Sequence, residues 1–322
     1  MRRIPTILVF ALACAETFAQ PTTSWPARPI HLIVPFPAGS SPDLIARILS
    51  EKLTQSLGQP LVVENRPGAG GNLGTGLVAR AAPDGYTIGL SIPGPLAVNT
   101  VLYKKMDYDP FRDLAPVSLV AASPNLLVVD PKLGLDSVKA LVALAKSQPG
   151  KLNYGSVGNG SASHLTMELF KETAGLDVVH VPYPGSPQVN TAILNGQIAA
   201  GFVVPATAMP LVQAGRLKAL AVTTSVRSIV LPEYPTLAES GYPQIVSTAW
   251  LAVVAPARTP AAIVDRLSRE LVAVVRGEDV REKMLRIYFQ PIGTAPQGLA
   301  NLMRSEVERW GKVIRKTGAS AD

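Results

Sequence analysis

The chain has 322 residues, enough for two domains with sizeable cores, and 47% of them are hydrophobic against 16% charged. That balance excludes a disordered chain. The formal charge of +7 is scattered: no Lys/Arg block and no basic stripe interleaved with aromatics marks a nucleic-acid surface. A diffuse positive field favours acidic small ligands, or is only background.

The N-terminus reads as a secretory signal over residues 1–19. Met1-Arg2-Arg3 is a charged start, Ile4–Cys14 an apolar run, and Thr17-Phe18-Ala19 puts small residues at the positions needed for cleavage before Gln20. The apolar run is too short to span a bilayer, and no later stretch reaches the required length. Cys14 is the single cysteine. Ala11-Leu12-Ala13-Cys14 is a poor lipoprotein box, which leaves lipidation at Cys14 as an alternative. Cleavage after Ala19 leaves a periplasmic protein with no disulfide, no thiol nucleophile and no thiolate metal site.

After a linker at Pro21–Ala27, the pattern predicts a strand over Pro29–Pro35 and a helix over Asp43–Leu57, stopped by Gly58. Between them, Pro35–Gly39 is a tight turn, Ser40 or Ser41 can cap the helix, and Asp43 complements its positive end. Such a junction aims free backbone N–H groups at one point and can hold an anion without a cationic side chain. Taken alone it is equally an ordinary strand-to-helix connection. A strand at Pro60–Glu64 follows, then the glycine-rich Asn65–Gly74 and a helix over Thr75–Ala82. That loop lacks the Lys-Ser/Thr of a P-loop and reads as a place of close backbone approach. A strand at Tyr86–Ile92, a turn-rich stretch to residue 117, and strands at Val117–Ala122 and Asn125–Val129 come next.

The pattern restarts near Asp130. A helix is predicted over Asp136–Gln148, a strand over Lys151–Ser156, and a second glycine-rich junction over Gly155–Leu165 leading into a helix at Leu165–Thr173. Strands at Val178–Val181, Ile198–Val204 and Leu217–Val222 alternate with helices at Gln188–Asn195 and Ala206–Ala214. After an irregular stretch at Ser228–Gly241 comes a strand at Ala249–Val254. The helices Pro260–Arg276 and Pro296–Thr317 close the chain around a short segment, Arg286–Ile292. Regular β-α alternation argues for an α/β fold of parallel sheets with helices on both faces. Ligands of such folds sit at the C-terminal ends of the strands, where both glycine junctions lie.

No catalytic constellation can be assembled, so an enzyme is not expected. His31 and His180 fall within strands, and His164 sits at a helix start beside Ser161 and Ser163 without a nucleophile elbow around them. Metal-ligand spacing is absent, and Asp107, Asp109 and Asp113 read as turn and cap residues. No cofactor is expected. Two anion-cradling junctions suit a two-lobed protein that clamps a small carboxylate, with Phe36, Ser91 and Tyr183 as candidate walls.

The chain resembles the substrate-binding proteins of tripartite tricarboxylate transporters, the Bug-type periplasmic receptors. The residues that carry the likeness include Val34-Pro35-Phe36-Pro37-Ala38-Gly39 with Asp43, Val63–Asn72, Ala82–Thr87, Tyr108-Asp109-Pro110, Tyr154–Ser161 with His164, and Pro235–Gly241. The resemblance spans Trp25 to Gly318. It implies a type II periplasmic-binding-protein fold: two α/β lobes with a ligand cleft between them, lobe one from 27–125 and 246–322, lobe two from 126–245. It also implies that a ligand carboxylate is held by backbone amides and bound waters at the two junctions, one formed by Phe36, Pro37, Ala38, Gly39, Ser40 and Asp43 and the other by Ser156, Gly158, Asn159, Gly160, Ser161 and His164. The implied partners are a small organic acid and the membrane subunits of a transporter, or a sensor kinase in the alternative reading; the receptor is expected to act as a monomer. Three departures stand out. Ala199 and Val203 occupy positions that are usually acidic in the family, Pro184 replaces a usual lysine, and Ser91–Val98 lacks the usual small polar run. They point to a ligand with one carboxylate and an apolar or aromatic body.

Overall fold

A computed structural model describes residues 25–321, so the signal segment, its cleavage site and Cys14 lie outside the described residues. The chain opens with β1 (Ile30–Val34), α1 (Ser41–Leu57), β2 (Leu61–Asn65), α2 (Asn72–Ala79) and β3 (Thr87–Ser91). Two short helices, α3 (Asn99–Leu102) and α4 (Pro110–Asp113), lead to β4 (Leu114–Pro124). There follow β5 (Leu126–Val129), α5 (Val138–Ser147), β6 (Asn153–Ser156), α6 (Ala162–Ala174), β7 (Val179–Pro182), α7 (Ser186–Leu194), β8 (Ala200–Val203), α8 (Pro205–Gln213) and β9 (Lys218–Val222). The chain ends with β10 (Thr248–Pro256), α9 (Ala261–Arg276), α10 (Glu278–Arg286), β11 (Gln290–Pro291) and α11 (Pro296–Thr317).

These strands form two sheets, ordered β11-β4-β10-β3-β1-β2 and β7-β6-β8-β5-β9. Helices cover both faces of each. In the larger sheet, Ile45, Leu49 and Leu53 of α1 pack with Leu267 and Leu271 of α9 on one side, while Leu299, Met303 and Trp310 of α11 fill the other. Leu141, Met167 and Phe170 cover one face of the smaller sheet and Val189, Ile193 and Met209 the opposite one. The helical spacing of Ile45, Leu49 and Leu53 is what commits this segment to α1, and Gly58 at φ 72° ends it.

Neither sheet is wholly parallel, contrary to the sequence expectation. β10 runs antiparallel to β3 and β4, and β5 antiparallel to β8 and β9. The reason is the connection. β4 passes into β5 through Asn125 alone, so β5 enters its sheet from the neighbouring sheet and not from a helical crossover that would restore a parallel direction. The sequence also gave no sign of α10, whose buried residues are only Val280 and Met284.

The chain crosses between the sheets twice, at Asn125 and over residues 223–247. The crossings are tied together. Asn125 donates its backbone N–H to Thr223 Oγ1 (3.0 Å) and its Nδ2 to Ser247 Oγ (3.1 Å), while Thr223 Oγ1 donates to the Ser247 carbonyl (2.7 Å). The Ser247 hydroxyl in turn lies 2.6 Å from that of Thr166 on α6. Thr223 is fully buried, so the isosteric change Thr223→Val strands both an amide and a carbonyl. Urea unfolding is expected to show a loss of about 1–3 kcal/mol.

Candidate functional site

The C-terminal ends of β1, β3, β6 and β8 face a closed cleft between the sheets. Within it lies a cavity of about 50 Å³. Its walls are Phe36, Pro42, Ile92, Pro93, Val157, Phe202, Val203, Val204, Trp250, Leu251 and Phe289, with Ser40, Ser41, Asn125, Ser161, Ser163 and Ser186 as the polar members. No charged side chain lines it.

Four helices begin at this cavity. Ser41 opens α1, Ala162 and Ser163 open α6, and Ser186 opens α7; Val204 caps α8. The backbone N–H groups of Ser41, Ala162, Ser163 and Ser186 find no acceptor among the described residues, as expected for the first turn of a helix. The Ser41 hydroxyl, also buried, has no partner either. Partial positive charge from several helix ends therefore falls on one apolar space. Such a space accepts an anion by fixed dipoles and excludes a cation.

The remaining groups of the junctions hold these ends in place. The Asp43 carboxylate turns away from the cavity and receives the Gly39 amide (2.9 Å), Arg47 Nε (3.0 Å) and Asn65 Nδ2 (3.0 Å). Burial pushes this carboxyl up, but the Arg47 guanidinium and the two amide donors outweigh it and hold the group below the ordinary carboxylate range. Ser40 donates its hydroxyl to the Pro37 carbonyl (2.6 Å), and its amide does the same at 3.2 Å. The Gly39 and Ser40 amides are thus consumed within the turn, leaving the helix itself to present the free donor.

In the second junction, Ser161 caps α6 by accepting the His164 amide (3.3 Å), and its hydroxyl donates to the Gly158 carbonyl (2.6 Å). Ser163 Oγ accepts the Val157 amide (3.1 Å). Beneath them His164, His180 and Tyr154 form a stack, with ring centroids 4.2 Å apart for the histidines and 4.8 Å for His180 and Tyr154. Gly160 donates its amide to His164 Nδ1 (3.2 Å), so the neutral ring carries its proton on Nε2. His180 Nε2 lies 2.6 Å from Ser156 Oγ. Burial drives His164 down to about 4, with Lys171 adding to the effect. His180 falls to about 3 through burial, His164 and Lys171, against an opposing pull from Glu168.

Of the residues expected from the sequence, Phe36, Ser40, Ser161 and Val203 line the cavity. Gly158, Asn159 and Tyr183 instead line a separate groove at the rim, together with the glycine-rich loop at 68–71. Pro37, Ala38, Gly39, Asp43, Ser91, Ser156, Gly160 and His164 do not line the cavity. Ser91 is buried against Thr75, with their hydroxyls 2.8 Å apart. Ala199 sits at the opposite end of β8 with Leu141 and Tyr154, so only Val203 of the two departures faces the cleft. Pro184 belongs to the rim groove.

The sequence reading missed most of the apolar wall. Ile92 and Val204 end predicted strands, and the rule of strand C-termini could have found them. Trp250 and Leu251 could not be found that way: β10 is antiparallel, so its beginning and not its end reaches this edge. Phe289 follows the unexpected helix α10. Among the described residues no group of three His, Cys, Asp or Glu side chains could hold a metal ion.

Comparison with known proteins agrees with this architecture. The family described as "Tripartite tricarboxylate transporter family receptor" matches residues 45–319. Protein BugT of Bordetella pertussis is 39% identical over 321 residues, covering 99% of this chain and 98% of that protein. Among solved structures, Rpa4515 of R. palustris with adipate superposes with a TM-score of 0.89 at 36% identity, covering 92% of this chain and 99% of that one. MatC (Rpa3494) of Rhodopseudomonas palustris with bound malate gives 0.85 at 31%, covering 90% and 100%. The chain belongs to the tripartite tricarboxylate transporter receptor family. Its members are solute receptors and not enzymes, and the fold is theirs: two α/β lobes enclosing a ligand cleft.

Because both buried histidines are neutral in the fold and free to protonate when unfolded, the unfolded state binds more protons below about pH 6.5. Stability is therefore complete above that pH and is expected to fall as pH drops through 6.5 towards 4 and 3, by up to about 1.4 kcal/mol per pH unit for His164. Urea midpoints measured across this range should show the decline, and His164→Gln should flatten it.

Proposed function

We propose that this protein is an extracytoplasmic receptor that captures a small organic acid bearing one carboxylate and an apolar or aromatic body, and delivers it to the membrane subunits of a tripartite tricarboxylate-type uptake system. One observation carries the reading. Unpaired amides at the starts of α1, α6 and α7 meet in a cavity whose other walls are aromatic and aliphatic and which contains no charged side chain. The amides match a single carboxylate. A second carboxylate placed against Phe202, Val203, Trp250 or Phe289 would lose its hydration without gaining a partner. The relatives with adipate and malate support an acid as the ligand class. Export to the periplasm follows from the signal pattern of residues 1–19, and Asn125 with residues 223–247 marks the hinge between lobe one and lobe two.

Isothermal titration tests this directly. Benzoate and other apolar monocarboxylates are expected to bind at least about tenfold more tightly than citrate, a difference of about 1.4 kcal/mol or more. Tighter binding of citrate overturns the assignment of an apolar body while leaving the acid. Val203→Thr adds a hydroxyl to the wall at nearly constant volume, and is expected to weaken benzoate binding by about tenfold.

A further inference from the structure

The glycine-rich loop at 68–74 does not itself line the cavity, yet it meets the other lobe backbone to backbone. A Cβ at Gly70 would stand 3.1 Å from the Asn159 carbonyl oxygen, and one at Gly158 would stand 3.0 Å from Gly70 Cα. A second contact lies alongside. A Cβ at Gly94 would meet the Gly160 carbonyl at 3.2 Å, and one at Gly160 would overlap Asn99 Oδ1 at 1.8 Å. The next residue of the loop, Gly71, is equally tight against the cavity wall, where a Cβ would lie 2.9 Å from the Phe36 ring. One loop thus seats a wall of the cavity with Gly71 and touches the opposite lobe with Gly70.

We propose that these paired glycines form a latch: Gly70 and Gly94 on lobe one and Gly158 and Gly160 on lobe two permit the approach by which the cleft closes and retains its ligand. The inference rests on the receptor reading for the meaning of closure, but not on which acid is bound. In an open molecule the lobe-to-lobe contacts are absent, and a Cβ at Gly94 keeps only the Asn99 side chain of its own lobe, at 3.3 Å. In the closed one Gly70, Gly94 and Gly158 meet backbone atoms that cannot swing aside, and Gly160 meets the buried Asn99 side chain, which is held by its hydrogen bond to Asn72 Oδ1 (2.7 Å).

Closure can be measured without knowing the ligand. Gly185 lies beside Pro37 across the mouth, a Cβ there being 3.7 Å from Pro37 Cδ, and Gly185 is extended at φ −174°. The pair Pro37→Cys with Gly185→Cys, in the chain lacking residues 1–19, therefore reports closed molecules through its rate of disulfide trapping, with and without benzoate. Adding Gly94→Ala, which carries no positive φ, is expected to slow trapping at least about tenfold in both conditions while the urea midpoint of the free protein stays unchanged. Gly160→Ala should slow trapping likewise, with a lower urea midpoint from the strain at its φ of 76°. Its control is Gly175→Ala, at the other end of α6, with a similar φ (64° against 76°) but nothing within 4 Å; it should leave trapping unaltered. Unchanged trapping in Gly94→Ala and Gly160→Ala overturns the latch, as does an unmodified pair that never forms the disulfide. Slowed trapping that no acid accelerates leaves the latch standing and removes the carboxylate reading instead.

Discussion

The first amides of a helix have no acceptor within the helix, and among apolar walls that shortage becomes a preference for an anion. Ser41, Ala162, Ser163 and Ser186 share one such site. The rest of the molecule is arranged around bringing them together: β1 and β6 deliver the two junctions to facing edges of two sheets, and the tied crossings at Asn125, Thr223 and Ser247 keep those edges opposed. The two junctions use different braces. A carboxylate, Asp43, holds the first, and a neutral histidine stack holds the second. Both keep formal charge out of the cavity.

That absence of charge has a chemical consequence. Recognition by amides requires no group to gain or lose a proton near neutrality, so affinity for a carboxylate should vary little there. The structure has its acid-sensitive element elsewhere, in His164 and His180 beneath the loop. Protonating His164 would remove the acceptor of the Gly160 amide, one residue before the α6 cap. Acid would then loosen the loop and leave the chemistry of the cleft as it is.

The apolar wall sets what else the cleft accepts. Phe36, Phe202, Trp250 and Phe289 come from four separated parts of the chain, so the wall exists only when both crossings are made. It also means that the size of the cavity is set jointly by both lobes. The glycine contacts at the rim set how closely those lobes approach.

Local pattern was enough for most of the elements. The helical spacing of Ile45, Leu49 and Leu53 and the two glycine junctions are written in consecutive residues, and so are the motifs that place the chain in its family; the expected serine cap of α1 is not, since the Ser40 hydroxyl donates to the Pro37 carbonyl and that of Ser41 has no partner. Short-range rules also gave four cavity residues: Phe36, Ser40, Ser161 and Val203. Ser91 and His164, polar residues beside the junctions, have partners within their own lobes and do not line the cavity. Nor does Ala199, since four residues along a strand separate the cleft end from the far end. What the sequence by itself determined is therefore most of the helices and strands, and the two glycine junctions beside which the free amides lie. Only the tertiary structure decided which side chains face them, because Trp250, Phe289 and the paired glycines reach the cleft through antiparallel strands and lobe-to-lobe contacts that leave no mark on neighbouring residues.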